Sequence, residues 1–194
     1  MTAAADANDP RATEETMHAI ADPMTTPKTP EPASGPIVVL PDSPERIDLG
    51  GFGITWKIDG AASDRRFSIV HHPMAPRALA APIHRHHRED EYSYVISGTL
   101  GALLGDDVVT AGPGTWVHKP RMQWHTFWNA GDTPLELVEV ISPAGFEDFF
   151  RELPSVWGGD LDRFMELAAR YELDMQWDSV PGLCERFGLR FGDA

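Results

Sequence analysis

The sequence predicts an all-β core that follows a disordered leader and precedes a C-terminal helical segment. Between about Asp48 and Ser142, short alternating runs of apolar and polar residues are broken by Gly, Pro and Asp. Many short strands at close, even spacing predict a β-sandwich or a small barrel. After Pro143 the apolar residues recur at helical spacing instead.

Residues 1–45 form the predicted leader. They are rich in Ala, Pro, Thr, Asp and Glu, and the stretch TTPKTPEPASGP shows this composition best. Such a segment buries too little apolar surface to offset the entropy lost on ordering. We therefore expect residues 1–45 to be disordered.

Residues 46–145 contain the predicted β-core. The residues GDD, between TLGALL and VVTAG, predict a tight hairpin turn. The candidate strands are, in chain order, GFGITWKID, RRFSIVHHP, EYSYVISG, TLGALLG, DDVVTAG, TWVHK, QWHTFWN and LELVEVIS.

Residues 146–194 form the predicted helical segment. GFEDFFREL predicts a first helix, and Ser179 offers an N-cap for a last short helix. A helix between them is predicted by apolar residues at helical spacing, namely Leu161, Phe164, Met165, Ala168 and Tyr171. We expect these helices to pack on the outside of the β-core.

Composition excludes several classes of protein. The formal net charge is −14 and the pI is about 4.8, which argues against nucleic acid and anionic membranes as partners. A single cysteine, Cys184, excludes an internal disulfide and a thiolate metal cluster. No apolar run approaches the roughly 20 residues needed to span a bilayer, and the N-terminus lacks the features of a signal peptide. We therefore expect a soluble, cytoplasmic protein.

The stretch IHRHHREDEYSYVISG contains most of the side chains that could bind a metal ion. Because alternate residues of a strand share a face, His84 and His86 lie on one face and His87 lies on the other. Glu91 follows a short bend, and if it faces inward then Val95 does too. His125 lies farther along, in QWHTFWN, on the same face as Phe127.

Imidazole and carboxylate groups in this pattern suit a divalent transition metal: iron, nickel, manganese, cobalt or zinc. Four protein ligands on an octahedral ion leave two coordination positions open, which is typical of a catalytic metal site rather than a structural one. An isolated H-x-H pair is more simply a solvated polar strand. Here, however, a glutamate, a downstream histidine and regularly placed glycines coincide with it.

Two motifs resemble those of the cupin superfamily. Residues 84–98 read H-x-H-x4-E-x6-G, which is the first cupin motif without a departure, and residues 114–129 resemble the second, G-x5-P-x-G-x2-H-x3-N. Met122 stands where that motif has glycine. The resemblance implies a small antiparallel jelly-roll β-barrel, and it implies the metal ligands His84, His86, Glu91 and His125. The sequence is most similar to single-domain cupins of the quercetin-dioxygenase-like type.

Three functions remain open at this stage. The first is a dioxygenase acting on a small aromatic or enolic, flavonol-like compound, with Glu91 as both metal ligand and catalytic base. Val95, Met122 and Phe127 would line its substrate pocket. The second is a non-redox isomerase, decarboxylase or lyase, and the third is a non-catalytic cupin that binds metal or a small molecule.

An apolar stripe on the outer sheet face indicates a protein contact. Tyr92, Tyr94 and Ile96 alternate with the inward residues of their strand. Such a stripe needs cover from the C-terminal helices or from a second subunit. We therefore expect a homodimer. The other expected partner is a small-molecule substrate.

Overall fold

The computed structural model describes residues 37–41 and 45–192. The predicted disordered leader lies outside the described residues except for 37–41 and 45. Residues 37–40 have no regular secondary structure and are exposed. No helix in the described ranges is long and apolar enough to cross a membrane.

The described chain forms eleven strands and three α-helices. Short 3-10 turns at Gly60–Ser63 and Leu153–Ser155 complete the regular structure. The strands are β1 Arg46–Asp48, β2 Gly53–Ile58, β3 Ser68–Met74, β4 Ile83–His86, β5 Asp90–Ser97, β6 Leu100–Leu104, β7 Asp107–Ala111, β8 Trp116–Lys119, β9 His125–Asn129, β10 Leu135–Ser142 and β11 Leu173–Gln176. The helices are α1 Glu147–Glu152, α2 Leu161–Arg170 and α3 Ser179–Phe187.

The strands form two antiparallel sheets. One sheet has the order β1-β2-β3-β10-β5-β8, and the other has the order β11-β4-β9-β6-β7. This arrangement is consistent with a jelly roll. The sequence analysis expected a closed barrel, but among the described strands no ladder joins one sheet to the other. The closed barrel is therefore corrected to two separate sheets.

Alternating side chains place the core between the sheets. β10 and β3 alternate regularly between buried and less buried residues, as the pattern LELVEVIS predicts for a half-buried strand. The main core combines residues of both sheets with residues from α1 and α2, including Ile54, Val95, Leu137, Phe149 and Phe164.

The predicted hairpin is confirmed. Leu104 pairs with Asp107, which leaves Gly105 and Asp106 as a two-residue turn between β6 and β7. Gly105 has a φ of +62°, a conformation that glycine adopts without steric cost. The turn residues in the sequence therefore fix the register of this hairpin.

The C-terminal segment contains a strand that the sequence did not reveal. β11 pairs antiparallel with β4 and extends the second sheet, although it lies in the segment that the sequence predicts to be helical. Ser179 does not cap α3 by a side-chain hydrogen bond. Its hydroxyl instead accepts a hydrogen bond from the backbone N–H of Ile83 at 2.9 Å. Contacts with β4 thus override the local helical pattern here.

Candidate metal centre

Three strands bring the four candidate ligands together. His84 and His86 lie on one face of β4, and the backbone of His84 pairs with that of His125 in β9. Glu91 is the second residue of β5, in the other sheet. All four side chains are buried, and one ligand atom from each lies within 4.8 Å of the others. The two sheets hold these residues as one cluster.

Backbone carbonyls orient two of the imidazole rings. Nδ1 of His84 lies 2.9 Å from the carbonyl oxygen of Pro82, and Nδ1 of His125 lies 3.0 Å from that of Gln123. A carbonyl oxygen only accepts hydrogen bonds, so both Nδ1 atoms must carry the proton and donate. The Nε2 lone pairs of His84 and His125 are therefore available to a metal.

Two ring nitrogens converge on one carboxylate. His86 Nε2 lies 3.2 Å from Glu91 Oε1, and His125 Nε2 lies 3.3 Å from Glu91 Oε2. Over the described residues, neither nitrogen has a hydrogen bond of acceptable geometry. Buried polar atoms are seldom left unsatisfied, and three imidazoles with one carboxylate suit a divalent transition metal. The donor set therefore fits such an ion.

Electrostatics keep these groups in the state that binds metal. Burial lowers the pKa of His84 well below its ordinary value of 6.5, and burial also lowers the pKa of His125. Both rings are therefore neutral near pH 7. Burial alone would raise the pKa of Glu91, but the adjacent Lys119 ammonium and the contacts with the His86 and His125 rings hold that pKa well below its usual range. Glu91 is thus an anionic ligand.

A buried lysine beside the cluster was missed. Lys119 is the last residue of β8 and is 1% exposed. Its Nζ lies 3.0 Å from Glu91 Oε2 and 2.8 Å from Glu139 Oε2. The strand alternation contained a signal, since Lys119 shares a face with buried Val117.

Glu139 in β10 completes this charged network. The hydroxyl of Ser93 donates to both carboxylate oxygens of Glu139 at 3.1 Å. Burial raises the pKa of Glu139 to about 7, although the adjacent Lys119 opposes the shift. Burial also works to lower the pKa of Lys119, but the charges of Glu139 and Glu91 raise it above its ordinary value. Lys119 is therefore a cation between two buried carboxyl groups.

Glu89 is a further buried carboxylate near the ligands. Its Oε2 lies 3.7 Å from Nδ1 of His86, which is too long for a hydrogen bond. Burial raises the pKa of Glu89. The bend before β5 turns the Glu89 side chain inward beside His86, where it is buried.

An apolar cavity of about 50 Å³ adjoins the cluster. His72, His84, Glu91 and Glu139 form the polar part of its wall. Most of the remaining wall is aromatic and comes from both the β-core and the C-terminal segment, including Phe52, Phe127, Phe146, Phe149, Phe150, Trp157, Phe164 and Phe191. The candidate ligands therefore face a mostly apolar space.

The three predicted pocket residues occupy different environments. Phe127 lines the cavity. Val95 is fully buried in the main core but is not among the residues that line the cavity, and neither is Met122. Met122 is 48% exposed, and its backbone N–H donates to the carbonyl oxygen of His86 at 2.8 Å. Met122 thus contacts the ligand strand through its backbone.

Comparison with known families bears on this arrangement. A family model described as "Cupin domain" (Cupin_2) matches residues 70–141. The part of the chain in residues 70–141 is therefore similar to a cupin domain. The matched range extends from β3 to β10 and includes all four candidate ligands. No curated protein matches the chain significantly.

Solved structures resemble about half of this chain at low sequence identity. KdgF from Halomonas sp. is 16% identical, with a TM-score of 0.47, over 54% of this chain and 90% of that one. A cupin-superfamily sugar phosphate isomerase from Silicibacter pomeroyi is 22% identical, with a TM-score of 0.43, over 50% and 70%. An oxalate decarboxylase from Lactobacillus farciminis is 18% identical, with a TM-score of 0.46, over 52% and 31%. At these values the similarities bear on neither substrate nor reaction.

Proposed function

We propose that this protein is a metal-dependent dioxygenase that acts on a compact aromatic or enolic compound. The observation that carries the proposal is that a three-histidine, one-carboxylate cluster adjoins a mostly apolar cavity whose wall is rich in phenylalanine. The ligand set suits a redox-active divalent metal, and the wall suits an apolar ring.

His84, His86, Glu91 and His125 would hold the metal. When bound, a divalent metal would acidify an enol or phenol hydroxyl and supply redox chemistry toward dioxygen. The chain supplies four ligands, which leaves room on a six-coordinate ion for two further molecules. The two sheets fix these ligands before substrate arrives, so little reorganisation is needed during the reaction.

Glu91 is our candidate for the group that accepts the substrate proton. Its carboxylate lies on the cavity wall, within reach of a hydroxyl held beside the histidines. The low pKa of Glu91 makes it a weak base, so it can deprotonate only a hydroxyl that has already been acidified. This requirement ties proton removal to the presence of the metal.

The cavity wall favours an apolar substrate over a phosphosugar. A phosphate group needs an accessible Lys or Arg, whereas the Lys119 ammonium is engaged by Glu91 and Glu139 and does not line the cavity. The phenylalanine wall also excludes water, which would otherwise compete at the open metal positions.

The cavity volume restricts the size of the substrate. An engineered cavity of about 150 Å³ accepts benzene, whereas this cavity measures about 50 Å³. A flavonol therefore exceeds the available space, and even a single ring requires wall side chains to move. We accordingly propose a compact enol or phenol, admitted by displacement of side chains such as Phe149 and Phe150.

The test is oxygen uptake by the reconstituted protein. Metal-free protein is loaded separately with iron, nickel, cobalt, manganese or zinc and then offered compact phenols, cyclic enols and flavonols. We expect oxygen consumption with at least one redox-active metal and a compact substrate, none with zinc, and a large loss in Glu91→Gln. Product formation without oxygen would instead indicate a non-redox lyase, decarboxylase or isomerase. Tight ligand binding with no product would indicate a binding protein.

A further inference from the structure

Lys119 lies directly opposite Glu91 on the neighbouring strand. β5 lies between β10 and β8 in its sheet, and its residue Glu91 pairs directly with Lys119 of β8. Two residues along β5, Ser93 pairs with Glu139 of β10. Backbone register therefore places the ammonium beside one carboxylate ligand and within reach of a second, non-ligand carboxylate.

The Lys119 ammonium contacts two carboxylates and one aromatic ring. Its Nζ lies 2.8 Å from Glu139 Oε2 and 3.0 Å from Glu91 Oε2, and it lies 4.3 Å from the ring centre of Phe127. Ser93 anchors Glu139 by donating to both of its oxygens. The chain Ser93–Glu139–Lys119–Glu91 thus runs from the sheet interior to the candidate metal ligands.

Stability alone does not explain this arrangement. Well-packed apolar side chains of similar volume often replace a buried ion pair without loss of stability. An ammonium with no exposed side-chain surface is therefore costly to keep unless it acts on its neighbours. Among those neighbours Glu91 belongs to the candidate metal centre, so the metal centre is where the lysine can act.

We propose that Lys119 is a positioning residue that fixes the carboxylate of Glu91 for metal binding, and that Glu139 in turn fixes Lys119. This inference rests on the metal centre of the proposed function but is independent of the dioxygenase reaction. By engaging Oε2, the ammonium leaves Oε1 as the oxygen for the metal and restrains rotation of the carboxylate. Groups that orient a ligand in this way commonly contribute about 10- to 100-fold to metal affinity.

A double-mutant cycle on metal affinity tests the proposal. The cobalt(II) dissociation constant is measured by chelator competition for wild type, Lys119→Met, Glu91→Gln and the double variant, and the visible cobalt spectrum reports ligand geometry. We expect Lys119→Met to weaken binding about 10- to 100-fold in wild type but less than about threefold in Glu91→Gln, because contacting residues are not additive. Lys57→Met, which alters a half-buried lysine that does not line the cavity, serves as the matched control and should leave the affinity unchanged.

Other outcomes would overturn the proposal. Equal losses in both backgrounds, no loss, or no cobalt binding by wild type would each contradict it. Lys119→Met leaves Glu139 buried without its partner, so Lys119→Met/Glu139→Met is made in parallel to keep the fold and is expected to show the same dependence on Glu91. Absence of oxygen uptake by wild type, together with the expected cobalt cycle, would refute the dioxygenase while leaving the role of Lys119 intact.

Discussion

The backbone of Met175 in β11 pairs with that of His84 in β4. The C-terminal segment thereby extends the sheet that carries two candidate metal ligands. Leu173 pairs with His86 in the same ladder, and both Leu173 and Met175 line the cavity beside the ligands. The C-terminal segment is therefore part of the site as well as a cover for the β-core.

Phe149 of α1 is expected to limit the size of the substrate. Its ring lines the cavity and stacks on Phe146 at a centroid distance of 4.9 Å. Phe149→Ala should lower the free energy of unfolding by about 3–5 kcal/mol, as measured by urea denaturation. It should also raise kcat/KM for larger substrates relative to smaller ones.

Phe187→Ala is the control for this variant. Phe187 stacks on Trp128 in a separate apolar cluster and does not line the cavity. It should destabilise the protein without changing the ratio of kcat/KM between large and small substrates. An unchanged ratio in Phe149→Ala would show that this ring does not set the size limit.

The lowered pKa of the buried His72 imidazole should make the stability of the protein depend on pH. His72 is buried, its Nδ1 lies 3.0 Å from the carbonyl oxygen of Gly53, and burial lowers its pKa from 6.5 to about 3. Between these two pH values the unfolded chain binds a proton that the folded chain does not. Stability must therefore fall as the pH falls through this window.

His72→Asn isolates this contribution, because an amide can still donate to the Gly53 carbonyl but does not titrate. Urea unfolding of metal-free protein between pH 4 and 6 should show a steeper dependence for wild type. We expect the slopes to differ by about 1.4 kcal/mol per pH unit. Identical slopes for the two proteins would mean that His72 takes up a proton in the folded state.

Met122 has a strained backbone conformation that glycine would relieve. Its φ is +66°, in a region that side-chain-bearing residues rarely adopt, and its side chain is half-exposed. Met122→Gly should raise the free energy of unfolding by about 0.5–1 kcal/mol. Met122→Ala retains Cβ and should give no gain. Urea denaturation of both variants measures these changes. A glycine variant no more stable than the alanine variant would show that the Met122 backbone is not strained.

Much of the fold could be predicted from local pattern. Strand alternation and turn residues gave β3, β5, β10 and the β6–β7 hairpin, and helical spacing gave α1 and α2. β11 could not be predicted, because it is only four residues long and is formed by pairing with the distant strand β4. Closure of the sheets likewise depends on long-range contacts, and the expected closed barrel was wrong.

The candidate site, like the fold, could be predicted from the sequence only in part. Strand alternation placed His84 and His86 on one face, the resemblance to the cupin motifs implied Glu91 and His125 as further ligands, and the structure places all four together. Lys119 received no role from the sequence, because its burial depends on the pairing of β8 with β5, which sets it opposite Glu91. The cavity wall from the C-terminal segment also arises from tertiary packing and has no local signature.

The outer face of β5 and β8 predicts a homodimer. Tyr94 contacts Trp116 at a ring-centroid distance of 4.9 Å, and Trp116 is 59% exposed. Large exposed aromatic patches often mark protein interfaces. Wild type should elute as a dimer in size-exclusion chromatography with light scattering, and Trp116→Glu should shift it toward monomer. Val108→Glu, at an exposed valine on β7, should not, and a monomeric wild type would refute the dimer.

Metal content tests the central claim most directly. Wild type and single alanine variants of His84, His86 and His125 are purified identically, loaded with excess metal, desalted and analysed by inductively coupled plasma mass spectrometry. His87→Ala is the matched control, because His87 lies on the opposite face of the same stretch and contacts Asp174.

We expect about one metal per chain in wild type and His87→Ala, and strong depletion in the three ligand variants with circular dichroism unchanged. Glu91→Gln should retain part of the metal and lose most turnover. Stoichiometric metal in all three histidine variants, or no bound metal in wild type, would contradict the account.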